Sequence, residues 1–229
     1  MADRLFGVIR WRRLWRPPMT SVLLRQLYFT GVESLVLIIA IAIAVGGIIV
    51  NQIHYQYGQA GSETLRLLSL LTLNELSPLL TALILIARSS SAMASELAAM
   101  QVHGEIRILR RLGLSVRDYL LLPRVLGMVL ASFFLSLYFS AATLLAAALA
   151  VGGFNGPHEL ALLGDSLPWR AVGQGVLKSL LFGLAIALMA CRAGMRGGVA
   201  MTDIPKAASQ SVINSLVAVF AVDLVVLLL

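Results

Sequence analysis

The sequence predicts an all-α integral membrane protein, with an N-terminal interfacial helix and five transmembrane helices, the N-terminus cytoplasmic and the C-terminus periplasmic. Three observations predict it. Of 229 residues, 59% are hydrophobic and 13% charged, and the mean hydropathy is +0.89; soluble domains hold roughly 45–50% apolar and about 25% charged residues. Five apolar runs recur, each about 20 residues or longer, enough to cross a hydrocarbon core about 30 Å thick. The basic residues cluster at alternate ends of those runs. Arg4, Arg10, Arg12, Arg13, Arg16 and Arg25, then Arg88, Arg107, Arg110, Arg111, Arg117 and Arg124, then Arg192, Arg196 and Lys206 fall on one side, and only Arg66 and Arg170 on the other. The positive-inside rule makes the first side cytoplasmic.

Residues 1–30 interleave six arginines with Leu5, Phe6, Ile9, Trp11, Leu14 and Trp15, the pattern of a helix lying in the headgroup layer, broken by Pro17-Pro18. No short apolar run with a small-residue cleavage site follows Met1, so the stretch is not read as a secretory signal. The first span is residues 31–50, with Glu33 at its cytoplasmic end and Gly46-Gly47 allowing close helix contact. A polar loop, 51–66, follows. The second span, 67–87, carries Glu75 and Pro78; the missing proline amide predicts a kink beside the carboxylate, and Arg88 marks the cytoplasmic edge. Residues 88–119 are read as a long internal loop. The third span is 120–151, the outer loop 152–169, the fourth span 171–191, the inner return 192–206 and the fifth span 209–229. The whole, 1–229, reads as one domain.

Three ionisable groups lie within the predicted spans: Glu75, Lys178 and Asp223. Counted from the outer ends of their helices, they lie roughly 13, 12 and 9 Å deep. A lone charge there costs at least about 2.5–3.5 kcal/mol, which pairing or a wet cavity offsets. The second, fourth and fifth spans are therefore expected to meet, with these groups lining or bracing an outward-facing polar cavity. The alternative is a buried ion pair that fixes helix register, with Lys178 snorkelling outward.

Within the internal loop, residues 96–112 have amphipathic spacing. Val102, Ile106, Leu109 and Gly113 share one side, while His103, Arg107, Arg110 and Arg111 lie largely on another, and Gly104 interrupts at a cost of about 1 kcal/mol. Such a basic helix suits lipid headgroups or a soluble partner. The serine-rich run at 89–95 reads as close helix packing, since nothing places His103 beside a serine as a base. Gly173, Gly175 and Lys178-Ser179 lack the glycine that a P-loop needs before its lysine, where Leu177 stands. The scattered histidines and lone Cys191 supply no metal-ligand pattern and no internal disulfide. No cofactor is expected. The net charge of +7 flanks apolar runs, so no nucleic-acid partner is expected either.

Residues 74–124 hold Glu75-Leu76, Pro78, Thr81-Ala82-Leu83, Arg88, Ser91-Ala92, Glu96-Leu97, Met100, Val102, Ile106, Leu109, Gly113, Tyr119-Leu120 and Pro123-Arg124 in an ungapped pattern. In this stretch the chain resembles the MlaE family, permease subunits of ABC-type lipid transporters that work with MCE-domain proteins. Arg25 to Tyr28, Gly31-Val32, Lys178, Phe182-Gly183, Cys191, Gly194, Gly197-Gly198, Ala207, Ser211 and Asp223 extend the likeness. The chain departs from it at Asn74, where the family has arginine, and at Ser77, Gly104 and Val116.

The resemblance implies a homodimeric, multi-pass permease of the bacterial inner membrane. It also implies cytoplasmic ABC ATPase subunits that hydrolyse ATP, so that this chain is not itself an enzyme. A periplasmic MCE-domain protein and phospholipid movement between the inner membrane and the outer envelope follow, which contributes to outer-membrane lipid asymmetry. A STAS-domain partner is left open. The helix bearing Glu96, Met100, Glu105, Arg107, Leu109, Arg110, Arg111 and Gly113 becomes the element that couples to the ATPase, within a coupling loop at 88–119. Asn74, Glu75, Lys178 and Asp223 become the polar groups of the substrate cavity, with Lys178 the buried cation available to a lipid phosphate. The competing reading is a proton-coupled secondary transporter using Glu75 and Asp223, although no inverted repeat supports it.

Overall fold

The computed structural model describes residues 28–57, 69–113, 115–152, 169–198 and 200–228. The interfacial helix expected near the N-terminus and most of the two outer loops lie outside these residues. The described residues are helical, with no strand among them, and five helices are long and apolar enough to cross a membrane: Thr30–Gln52, Ser69–Val102, Arg117–Ala150, Val172–Arg196 and Asp203–Leu228. Helices suit this setting because every internal backbone amide finds its partner within the segment, away from water.

A wide turn, Tyr28–Val32, leads into α1, Glu33–Tyr57. The second span is composite: wide turn Thr72–Leu76, α2 Ser77–Leu85, wide turn Ile86–Ser90 and α3 Ser91–Val102 follow without a break. A short helix α4, Glu105–Arg111, precedes wide turn Arg117–Leu121 and α5, Leu122–Gly152. Helices α6, Trp169–Arg196, and α7, Asp203–Leu228, complete the bundle. Helix α6 is central, touching α2, α3, α5 and α7, while α1 lies along α5.

Without a hydrophobic force between helices in lipid, small residues and hydroxyls set these seams. A Cβ on Gly46 would stand 2.6 Å from the Thr143 carbonyl oxygen, and Thr143 Oγ1 donates to the Ala42 carbonyl at 3.2 Å, drawing α1 onto α5. A Cβ on Gly183 would lie 2.8 Å from Ser132 Cβ, and the Ser132 hydroxyl donates to the Ser179 carbonyl at 2.8 Å, joining α5 to α6. Ser90 shares hydrogen bonds with Ser211 at 2.6 Å and Ser215 at 3.0 Å, fixing the second span against α7.

The structure moves two expected boundaries. The helix of the second span does not stop at Arg88; residues 88–95, placed from sequence in the internal loop, continue it as helix into the first part of the helix expected over 96–112. Ser91 and Ser95 turn their hydroxyls back onto the carbonyls of Ala87, Arg88 and Ala92, and Met93, Ala94, Leu97 and Ala98 are buried. The inner return between the fourth and fifth spans likewise shrinks to residues 197–202, because α6 runs on to Arg196 and α7 starts at Asp203.

The amphipathic helix expected over 96–112 is divided in two. Gly104 adopts φ 77°, ending α3 and starting α4, and Gly113 at φ 71° closes α4 on its other side. Left-handed backbone costs a residue bearing a Cβ roughly 1–2 kcal/mol. Nothing lies within 4 Å of where a Cβ on Gly104 would stand, so the backbone supplies the whole penalty. Gly104→Ala is expected to lower stability by about 1–2 kcal/mol, read as a lower unfolding temperature in detergent. A midpoint unchanged from the parent would show that the turn re-forms in another geometry.

Candidate functional site

Two groups of side chains stand apart from the apolar bundle. The first begins in wide turn Thr72–Leu76. Ser77 donates its amide to the Thr72 carbonyl, five residues back, and residue 78 is a proline with no amide to give. Neither the amide four residues ahead nor the one five ahead serves the Leu73 carbonyl. Helix α6 comes against that carbonyl at Gly175, where an added Cβ would overlap the oxygen. Three residues further along α6 is Lys178.

Lys178 Nζ lies 2.7 Å from both carboxylate oxygens of Glu75 and 3.0 Å from Asp223 Oδ1. The second, fourth and fifth spans thus meet at one cation held by two carboxylates. The Lys178 side chain is 5% exposed, against 39% for Glu75 and 24% for Asp223. Lys178 therefore does not snorkel, and it presents no free face to a phosphate. Asn74 Oδ1, on the same turn as Glu75, is buried and accepts no hydrogen bond; Thr72 Oγ1 and Thr81 Oγ1 are likewise unpartnered.

The second group surrounds α4. Ile106 is buried and Leu109 half-buried against the core, while Glu105, Arg107, Arg110 and Arg111 are exposed. Ile108 and Leu112, at 56% and 68% exposure, place apolar surface among the arginines. Glu96, Ala99, Met100, His103, Glu105 and Arg124 line a groove of about 390 Å³ beside this helix. Glu96, Met100 and Glu105 therefore adjoin one another, whereas Arg107, Arg110 and Arg111 stand on exposed surface and Gly113 shapes the exit turn. His103 is exposed, its ring near the Ala99 carbonyl, with no serine hydroxyl bonded to it among the described residues.

Sequence reasoning missed two ion pairs that join different spans. Arg124, 8% exposed, donates to Glu96 at 3.2 Å, and its Nη1 is buried without a partner. The available signal was an arginine inside the apolar third span, directly after Pro123. Arg88, read as a mark of the membrane edge, donates to Glu33 and to Ser34 Oγ at 2.8 Å, tying the first two spans. Here the signal was a carboxylate and a cation at the same inner level on neighbouring spans.

Comparison with known proteins follows the same elements. The sequence profile of the family described as Permease MlaE matches residues 23–229. The chloroplastic protein TRIGALACTOSYLDIACYLGLYCEROL 1 of Arabidopsis thaliana is 30% identical over 228 residues, covering 96% of this chain and 62% of that protein. The chain thus spans less than two thirds of that relative's length. A probable ABC transporter permease protein of Rickettsia typhi is 28% identical over 220 residues, covering 92% of this chain and 84% of its own length. One from Synechocystis is 29% identical over 202 residues, covering 86% and 77%.

Proposed function

The chain belongs to the MlaE permease family, and on that premise we propose that it is the membrane subunit of an ATP-driven phospholipid transporter. It is a multi-pass membrane protein of the ABC permease kind. In this reading two copies form a homodimer in a bacterial inner membrane, with the N-terminus and α4 in the cytoplasm. Separate ABC ATPase subunits bind below. An MCE-domain protein sits on the periplasmic side, and a STAS-domain protein is a further candidate partner. Phospholipid passes between the inner membrane and the outer envelope, contributing to outer-membrane lipid asymmetry. The Glu75, Lys178 and Asp223 cluster with Asn74 lies at the lipid path, beside the wide turn at Pro78.

The single observation that carries this reading is α4. A seven-residue helix stands between two left-handed glycines, at the junction of the second and third spans, with arginines and two apolar side chains exposed. The sequence has no P-loop, so an external motor needs such a handle. Glu96 through Arg124 would carry its push into the third span, and Met100, Glu105, Leu109 and Gly113 would shape the docking face. A proton-coupled carrier built on Glu75 and Asp223 has no comparable use for this exposed helix.

The test is reconstitution with the candidate ATPase and MCE partners in vesicles containing labelled phospholipid. ATP-dependent transfer is the expected result; transfer by this chain alone, or none by the complex, would overturn the proposal. The triple variant Arg107→Ala, Arg110→Ala, Arg111→Ala should weaken ATPase capture by about tenfold or more, near 1.4 kcal/mol, while leaving the spans folded. A pull-down titration measures this, and undiminished capture would place the contact elsewhere.

A further inference from the structure

We infer that the Glu75–Lys178–Asp223 cluster receives the ammonium of a lipid headgroup and not its phosphate. The inference rests on the reading of this chain as a lipid permease and names the headgroup chemistry that the site selects.

An ammonium has three N–H donors. Lys178 Nζ donates to Glu75 Oε1 and Oε2 at 2.7 Å and pairs ionically with Asp223 Oδ1 at 3.0 Å, and the side chain is 5% exposed. The cation is consumed inside the protein. The carboxylates are not: Glu75 retains 39% exposure and Asp223 24%, and Asp223 Oδ2 has no hydrogen-bond partner among the described residues. Each carboxylate oxygen accepts more than one hydrogen bond. The open edge of the cluster is therefore made of acceptors and carries formal negative charge, one cation being shared by two carboxylates.

Asn74, beside Glu75 on the same turn, is neutral and adds no cation to this edge. A phosphodiester brought here would meet like charge. A primary ammonium would donate charge-assisted hydrogen bonds to carboxylates in surroundings where such bonds are strong. Phosphatidylethanolamine carries that group, and phosphatidylglycerol lacks it.

The test uses this chain assembled with its ATPase subunits in nanodiscs of equimolar phosphatidylethanolamine and phosphatidylglycerol, with retained lipid identified by native mass spectrometry. Phosphatidylethanolamine should be retained in about tenfold excess, the worth of one hydrogen bond to a charged group. Asn74→Arg, which adds a cation to the turn, should bring the ratio to parity or invert it. If that variant does not assemble, Asp223→Asn should lower the ratio by removing one exposed carboxylate. Equal retention by the parent protein, a preference for phosphatidylglycerol, or a ratio that neither variant moves overturns the proposal; equal retention is also the result if a second copy covers the cluster. ATP-driven transfer from vesicles of the same composition separates the two readings. Selective retention without transfer sinks the transport reading alone, and transfer without selectivity sinks this one alone.

Discussion

Replacing Lys178 with methionine is expected to destabilise the protein by about 3 kcal/mol, the lower end of the 3–5 kcal/mol found when one partner leaves a buried ion pair. The lower end applies because Glu75 and Asp223 keep 39% and 24% side-chain exposure and so are not sealed within the bundle. Both carboxylates lie within 3.0 Å of the same nitrogen, and without it two like charges remain together at membrane depth. The purified variant should unfold at a clearly lower temperature in detergent. The triple variant Glu75→Gln, Lys178→Met, Asp223→Asn should recover most of the loss, because neutral side chains at these positions leave no charge uncompensated. A Lys178→Met protein as stable as the parent would mean that the three spans are held by their small-residue seams and that the cluster contributes nothing to assembly.

Much of this arrangement was legible from the residues. Hydropathy and the alternation of arginines located five spans, since apolar length and cation placement are the two quantities a bilayer reads directly. The matched depths of Glu75, Lys178 and Asp223 predicted that their spans meet. Less legible was the direction each group faces. Lys178 has a side chain long enough to snorkel, and only the packing of α6 between α2 and α7 decides that it turns inward. The run Ser89 to Ser95 was legible as close helix packing. The hydroxyls of Ser90, Ser91 and Ser95 are satisfied by helix carbonyls and by Ser211 and Ser215, so that polarity is spent within the bundle. Gly104 was visible as an interruption, but its left-handed backbone, which makes α3 and α4 separate helices, depends on a conformation that composition does not specify. Arg124 was hidden for the opposite reason: a cation at the start of a span is ordinarily at the headgroups, and here Glu96 and Met100 cover it.

A close backbone contact beside the cluster lies two residues from Glu75, and it is expected to seat Lys178 against the carboxylates. Pro78 and the wide turn leave the Leu73 carbonyl without its usual helical donors, and α6 meets that oxygen at Gly175. A glycine Cα can offer C–H to a carbonyl at this range, a contact of about 0.5–1 kcal/mol. Gly175→Ala would drive a Cβ into the oxygen, so α6 must move away, carrying Lys178 from Glu75. The expected cost is about 1–3 kcal/mol from overpacking, with Lys178 becoming reactive toward a membrane-permeant amine reagent. Gly173 is the control: it lies two residues away on the same helix, exposed, with nothing within 4 Å of where its Cβ would stand. There the same substitution should be neutral or stabilise by up to about 1 kcal/mol, through helix propensity. Opposite signs at these positions, read from unfolding temperatures and from Lys178 labelling, would show that α6 is seated on the turn. Equal stability and equal protection of Lys178 in the two variants would show that the ion cluster forms independently of that seat, and that the close approach at Gly175 is incidental to it.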